Sequence, residues 1–116
     1  MSAVNLYEKL ATFSEHWSPR VVSSVNGHDV MVVKARGAFN WRSRTDTDAL
    51  ILVLKGRMTI KLPDRDVELS AGEMFVVPKG VQHCPIAHGE VELVIMEPAG
   101  TPNTGDPKTA ASKPHI

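Results

Sequence analysis

Arg42 and Arg44 are the residues best suited by type and spacing to do chemistry in this chain. They lie two apart in the stretch Gly37-Ala38-Phe39-Asn40-Trp41-Arg42-Ser43-Arg44. Residues two apart in a strand project from one face, so both guanidiniums enter the same space. A guanidinium has no acceptor lone pair and stays protonated, with a solution pKa above about 12, so neither group can ligate a metal. Together they can grip a carboxylate, phosphate or sulfate through bidentate hydrogen bonds. Two other fates are open to them. A carboxylate of the chain could neutralise them, with Asp46, Asp48 and Glu97 as candidates, or both could reach water at an open strand end.

Other reactive residues offer less. His83 and Cys84 are adjacent, and neighbours on a strand face opposite ways, so they form no thiol dyad. Cys84 reads instead as a buried, inert thiol. His16, His28, His88 and His115 have no ligand spacing. No Ser-His-Asp signature, phosphate loop or dinucleotide fingerprint is present. The mixed charges from Arg57 to Glu68 read as a solvated face.

The elements that position the arginines are short strands. From Arg20 onward apolar residues alternate, and Gly or Pro turns recur every eight to twelve residues. Strands are predicted at 20–25, 30–35, 50–55, 57–62, 66–69, 73–77, 81–86 and 91–96. Asn26-Gly27 is a hairpin signal, because both residues accept positive φ. Gly56, Pro63-Asp64, Ser70-Ala71-Gly72, Pro78-Lys79-Gly80 and His88-Gly89 are read as the other turns. Without intervening helices, such a series predicts an antiparallel sandwich or barrel. Ahead of it, Leu6, Leu10 and Phe13 at helical spacing, with Asn5 as N-cap, predict a short helix within an arm at about 5–17.

A chain of 116 residues suits one domain with one core. The reading is a single domain over 1–100 and a C-terminal tail over 101–116, extended and partly disordered by its Thr, Pro, Ala, Ser, Lys and Gly content. Thirteen basic residues balance 13 acidic ones, so no global field favours nucleic acid or an anionic membrane. The N-terminal residues show no signal-peptide pattern, and apolar runs such as 50–54 are too short to span a bilayer. One cysteine excludes an internal disulfide and fits a reducing, cytoplasmic setting.

Several motifs together give the chain a resemblance. Gly37, Phe39, Trp41, Asp48, Ile51, Val53 and Gly56 stand in one ordered set, and Gly72, Glu73, Val77, Pro78, Gly80 and His83 in a second. The ending from Glu97 to Thr101, followed by Asn103 to Asp106, matches as well. Over about 5–106 the chain resembles small single-domain cupins, the stand-alone barrels similar to mannose-6-phosphate isomerases. The resemblance implies an all-β, double-stranded β-helix (jelly-roll) barrel and a homodimer. Family ligands to a metal are two His, a Glu and a later His, and these positions here are Arg42, Arg44, Ala49 and His83. Three of the four cannot ligate, and the missing glutamate at Ala49 removes a carboxylate that would have neutralised the arginines.

The expected function is therefore a metal-free barrel without cofactor that binds a small anionic metabolite through Arg42, Arg44 and His83. Ile51 and Trp41 are expected in the pocket wall, with Val53, Met58 and Ile60 as further same-face candidates. A metal-independent isomerase with His83 as base would need a second proton-transfer group, and none is evident. Two alternatives stand beside this reading. One is a sugar-phosphate isomerase-like or dioxygenase-like metalloenzyme with a rebuilt ligand set around His83, using Glu97 or another histidine. The other is a structural dimer module with no ligand.

Overall fold

The computed structural model describes residues 2–116. Helix α1 (Leu6–Leu10) starts where Asn5 caps it, its side chain accepting from the Glu8 amide at 3.1 Å. The helix is shorter than its apolar spacing suggests, but Phe13 beyond it still packs on the same apolar cluster. Six strands follow: β1 (Arg20–Val25), β2 (His28–Ala38), β3 (Ala49–Lys61), β4 (Asp66–Ser70), β5 (Met74–Val77) and β6 (Cys84–Pro98). They pair antiparallel in the order β1-β2-β6-β3-β4, with β5 also on β3. This is the all-β jelly-roll arrangement expected, with a short N-terminal helix.

Two of the predicted turns are corrected. Gly56 does not end a strand, nor do His88 and Gly89. Instead β3 and β6 run through these points as long strands that bend together, with register shifts on both sides of Lys55. Gly56 has φ +88°, and a Cβ there would lie 2.5 Å from the Glu90 carbonyl oxygen. A close backbone approach at a bulge, which only glycine permits, was thus read as a turn. Residues 81–83 also lie ahead of β6 rather than within it, joined to the sheet by an isolated bridge between Arg42 and His83.

The bent sheet encloses one core. Met31, Val33 and Ala35 from β2, Ile51, Val53, Met58 and Ile60 from β3, and Val91, Leu93 and Ile95 from β6 all point inward. The outer face carries a second cluster of Leu10, Val32 and Val94, flanked by Leu6, Phe13, Val22, Val30, Leu52 and Leu54. Covering both faces explains the continuous apolar runs at 30–33 and 50–54.

Residues 101–116, read from composition as a partly disordered extension, lie along the barrel. Val21 of β1 donates to the Pro114 carbonyl at 2.9 Å, and the Ile116 amide donates back to Val21 at 3.0 Å. The physical reason is the sheet edge: β1 is an outer strand whose backbone groups on one side lack a strand partner. No helix among the described residues is long and apolar enough to cross a membrane.

Candidate functional site

The four polar side chains in the barrel are held by backbone geometry. Arg42 and His83 exchange two backbone hydrogen bonds, each of 2.9 Å, across their bridge. Residues facing each other in such a pair send their side chains the same way. Arg44, two positions on, follows Arg42 inward. Glu97 shares the inward parity of Val91, Leu93 and Ile95 on β6. Arg42 and Arg44 are each 6 % exposed, Glu97 1 % and His83 0 %.

The hydrogen bonds define the electrostatics. His83 Nδ1 pairs with the Val81 carbonyl at 3.0 Å, so Nδ1 carries the proton and Nε2 keeps its lone pair. That lone pair accepts from Arg42 Nε at 3.4 Å and Arg44 Nη1 at 3.3 Å. Burial pushes His83 down from 6.5 to about 4, and the two arginines add to the effect. The imidazole is therefore neutral at neutral pH.

Glu97 is the only one of the three candidate carboxylates that reaches an arginine. Its Oε2 accepts from Arg44 Nε at 2.6 Å, and its Oε1 accepts from Lys113 Nζ at 3.1 Å. Asp46 is exposed, and Asp48 accepts from the Lys79 amide at 2.9 Å. Arg42 has no carboxylate partner among the described residues. Its Nη1 donates to the Asn103 carbonyl, and its guanidinium lies 4.8 Å from the centroid of the Phe39 ring. Burial first, and Arg44 second, push Arg42 well below the ordinary guanidinium range, to about 9. The cluster holds three cationic side chains, Arg42, Arg44 and Lys113, against one carboxylate.

Two spaces adjoin the cluster. A cavity of about 20 Å³ inside the barrel is walled by Trp17, Met31, Ile51, Met58 and Leu93, with Arg42, Arg44, Glu97 and Asn103 at its polar end. A cleft of about 220 Å³ lies on the other side of Arg44, against Thr45, Asp46, Thr47, Gly100, Thr101 and Pro102. Among the described residues, Nη2 of neither guanidinium has an acceptor, since their bonds use Nε and Nη1. No sealed side-chain polar atom there lacks a partner. Neither Nη2 is therefore fully sealed within the protein.

The expected site residues sort clearly. Arg42, Arg44 and His83 converge, and Ile51 and Met58 line the cavity, whereas Val53 and Ile60 stay in the core away from it. Trp41 is corrected: it is 51 % exposed and lines neither space. Strand alternation explains this, since an inward Arg42 requires an outward neighbour. Trp17 takes the wall instead, at φ 56°, with its ring 4.8 Å from that of Phe39. Cys84 is buried, its thiol directed at the Phe39 carbonyl at 3.4 Å. Sequence reasoning missed Trp17, Asn103 and Lys113 as site residues.

The donor set does not fit the metal of the resembled family. Ala49 offers nothing, two guanidiniums stand on His83 Nε2, and both Glu97 oxygens already face cations. A divalent ion would have to displace positive charge from each remaining ligand. Among the described residues, no three His, Cys, Asp or Glu side chains gather in one place.

Comparison with known proteins agrees with this fold. The family model described as "Cupin domain" matches residues 29–97. The chain is 31 % identical over 102 residues to the "Uncharacterized protein YdbB" of Bacillus subtilis (strain 168), covering 78 % of this chain and 83 % of that protein. Among solved structures, a cupin-2 domain containing protein from Shewanella frigidimarina NCIMB 400 is 41 % identical, with TM-score 0.81, covering 82 % of this chain and 93 % of that one. Protein NMB1881 from Neisseria meningitidis is 29 % identical, with TM-score 0.76, covering 84 % and 100 %. The matched span runs from the start of β2 to Glu97 and so takes in Arg42, Arg44, His83 and Glu97: the chain belongs to the cupin family.

Proposed function

We propose that this cupin works without a metal and binds a small anionic metabolite through Arg42 and Arg44, with His83 buried behind them as the acceptor that orients both guanidiniums. The observation that carries the reading is Arg42, a guanidinium almost fully buried with no carboxylate partner. A buried cation without a counter-charge is costly, and an anion in the adjoining space would relieve the cost. The unpartnered Nη2 donors support the same placement, because a carboxylate or phosphate takes two parallel N–H bonds. Polar groups at one end of an otherwise apolar cavity are usual for a small-molecule site.

Binding is favoured over catalysis by His83. Its lone pair already faces two guanidiniums, and its pKa of about 4 leaves it a poor base near neutrality. The structural-module reading leaves Arg42 without explanation. The rebuilt metal centre would need Glu97 and His83 freed from their cationic partners. The buried Cys84 thiol suits a reducing compartment, and a cytoplasmic setting fits that chemistry.

The test is a thermal melt of the full chain with phosphate, sulfate and small carboxylates, alongside Zn²⁺, Mn²⁺, Fe²⁺ and Ni²⁺. An anion at 100 times its Kd should stabilise by about 2.7 kcal/mol, and the shift should vanish in Arg42→Met. Stabilisation by a divalent metal alone would overturn the reading in favour of the metalloenzyme.

We also propose that the protein pairs with a second copy. Met74 and Val76 of β5 are 52 % and 41 % exposed, and they stand opposite Leu52 and Leu50 of β3. With Met96 beside Leu50, they make an apolar strip on the outer face next to the region under α1. Sedimentation velocity should show a dimer that Val76→Lys converts to monomer. A monomeric wild type across micromolar concentrations would remove the proposal.

A further inference from the structure

We infer that the C-terminal segment, residues 101–116, is an internal competitor for the arginine site, and that anion binding releases it. The inference rests on the anion-binding reading above. The backbone carbonyl of Asn103 accepts from Arg42 Nη1, where a ligand oxygen would otherwise be gripped. Asn103 is 7 % exposed, so this contact reaches well into the barrel. Its own side chain accepts from the Ala111 amide at 2.9 Å, which closes the segment into a loop. Lys113 then fastens the loop to the site, donating to Glu97 Oε1 and to the Thr101 carbonyl.

Size decides between a segment that makes way and one that stays put. With it seated, the barrel cavity is about 20 Å³, which holds about one water. A carboxylate or phosphate with any substituent does not fit there unless Asn103 withdraws. Bond strength points the same way. The Arg42–Asn103 contact pairs a charged donor with a neutral acceptor, whereas a pair charged on both sides is stronger. Release also leaves both apolar clusters complete. No residue of the segment belongs to either apolar cluster, so polar contacts and the edge bridge at Val21 hold it. Segments held in this way open locally at much lower free energy than core strands.

Gly105 provides the handle for a test in the full chain. It has φ +82°, and a Cβ there would lie 2.6 Å from the Ser43 carbonyl oxygen. Gly105→Ala should therefore unseat the loop while keeping every charged group of the site, and Ala111→Pro should loosen it by a second route, by removing the amide that closes it on Asn103. Phosphate and acetate serve as probes, with amide hydrogen exchange followed at Ala111 and Ile116. Either probe should speed exchange at both amides in wild type by about tenfold and leave β3 and β6 unchanged. Both variants should bind that probe about tenfold more tightly than wild type. Equal affinity in all three proteins, with exchange at Ala111 unmoved, would overturn the competition while leaving the anion site intact. Slower exchange at Ala111 on binding would also overturn it, marking a lid that closes over its ligand. Absence of binding in wild type and both variants would remove the anion site and the competitor together.

Discussion

Arg42→Met is expected to raise the unfolding midpoint of the ligand-free protein, whereas Arg44→Met is expected to lower it steeply. The two residues are equally buried and two positions apart, so burial alone predicts the same sign for both. Their partners differ. Arg44 holds Glu97 at 2.6 Å, and Glu97 is 1 % exposed. Removing Arg44 leaves that carboxylate to Lys113 alone, and breaking a buried pair in this way costs about 3–5 kcal/mol. For a chain of this length, the midpoint should fall by more than about 10 °C.

Arg42 bonds no carboxylate and feels Glu97 only at a distance. Its pKa of about 9, well below the ordinary guanidinium range, reports a charged form disfavoured by burial and by Arg44. Methionine fills similar space without charge, at the loss of the Asn103 contact and the Phe39 stacking. The net expectation is about 2 kcal/mol of added stability, in line with buried charges replaced by apolar side chains. The same variant should lose its anion, which is the pattern of a residue kept for function at a cost in stability. Calorimetry on the two single variants reads both signs. If Arg42→Met destabilises as much as Arg44→Met, Arg42 is structural and the binding proposal loses its main support.

The two arginines could be read from the sequence by strand spacing, and both do turn inward, although Arg42 lies only in a bridge to His83 and Arg44 in no strand. Glu97 obeys strand parity, two residues on from Ile95 in a run whose odd positions face inward, but the expected strand stops at residue 96 and leaves it level with Asp46 and Asp48 as a partner. Parity also argues against Trp41, which could join the wall only if the strand twisted there. Gly56 misled because glycine marks both turns and bulges, and the difference lies in Glu90, which is distant in sequence. Asn103 and Lys113 gave no periodic signal at all. Asn103 meets Arg42 across 61 positions through a backbone carbonyl, which any residue type carries. Trp17 was equally hidden, since the position of a lone aromatic before β1 depends on where the chain arm folds back.

Lowering the pH is expected to weaken the fold through His83, and His83→Gln should remove most of that effect. Above pH 6.5 the imidazole is neutral in both the folded and the unfolded chain, and its contribution is fully present. Between 6.5 and about 4 the unfolded chain takes up a proton that the folded chain refuses, so stability falls as pH falls. The whole difference is worth about 3 kcal/mol, and it is spent by about pH 4. The groups facing His83 account for the refusal. Arg42 and Arg44 stand on Nε2, and the one nearby carboxylate, Glu97, is already bonded to Arg44 and Lys113. A glutamine at this position can still offer an oxygen to the arginines but cannot be protonated in this range. Urea unfolding of both proteins at pH 7, 5.5 and 4.5 isolates the effect, since other carboxylates titrate alike in the two. The wild-type curve should drop away from the variant curve between pH 6.5 and 4. Parallel curves would mean that His83 charges freely in the folded protein, and a freely charged His83 could not sit between two unneutralised arginines without a bound anion.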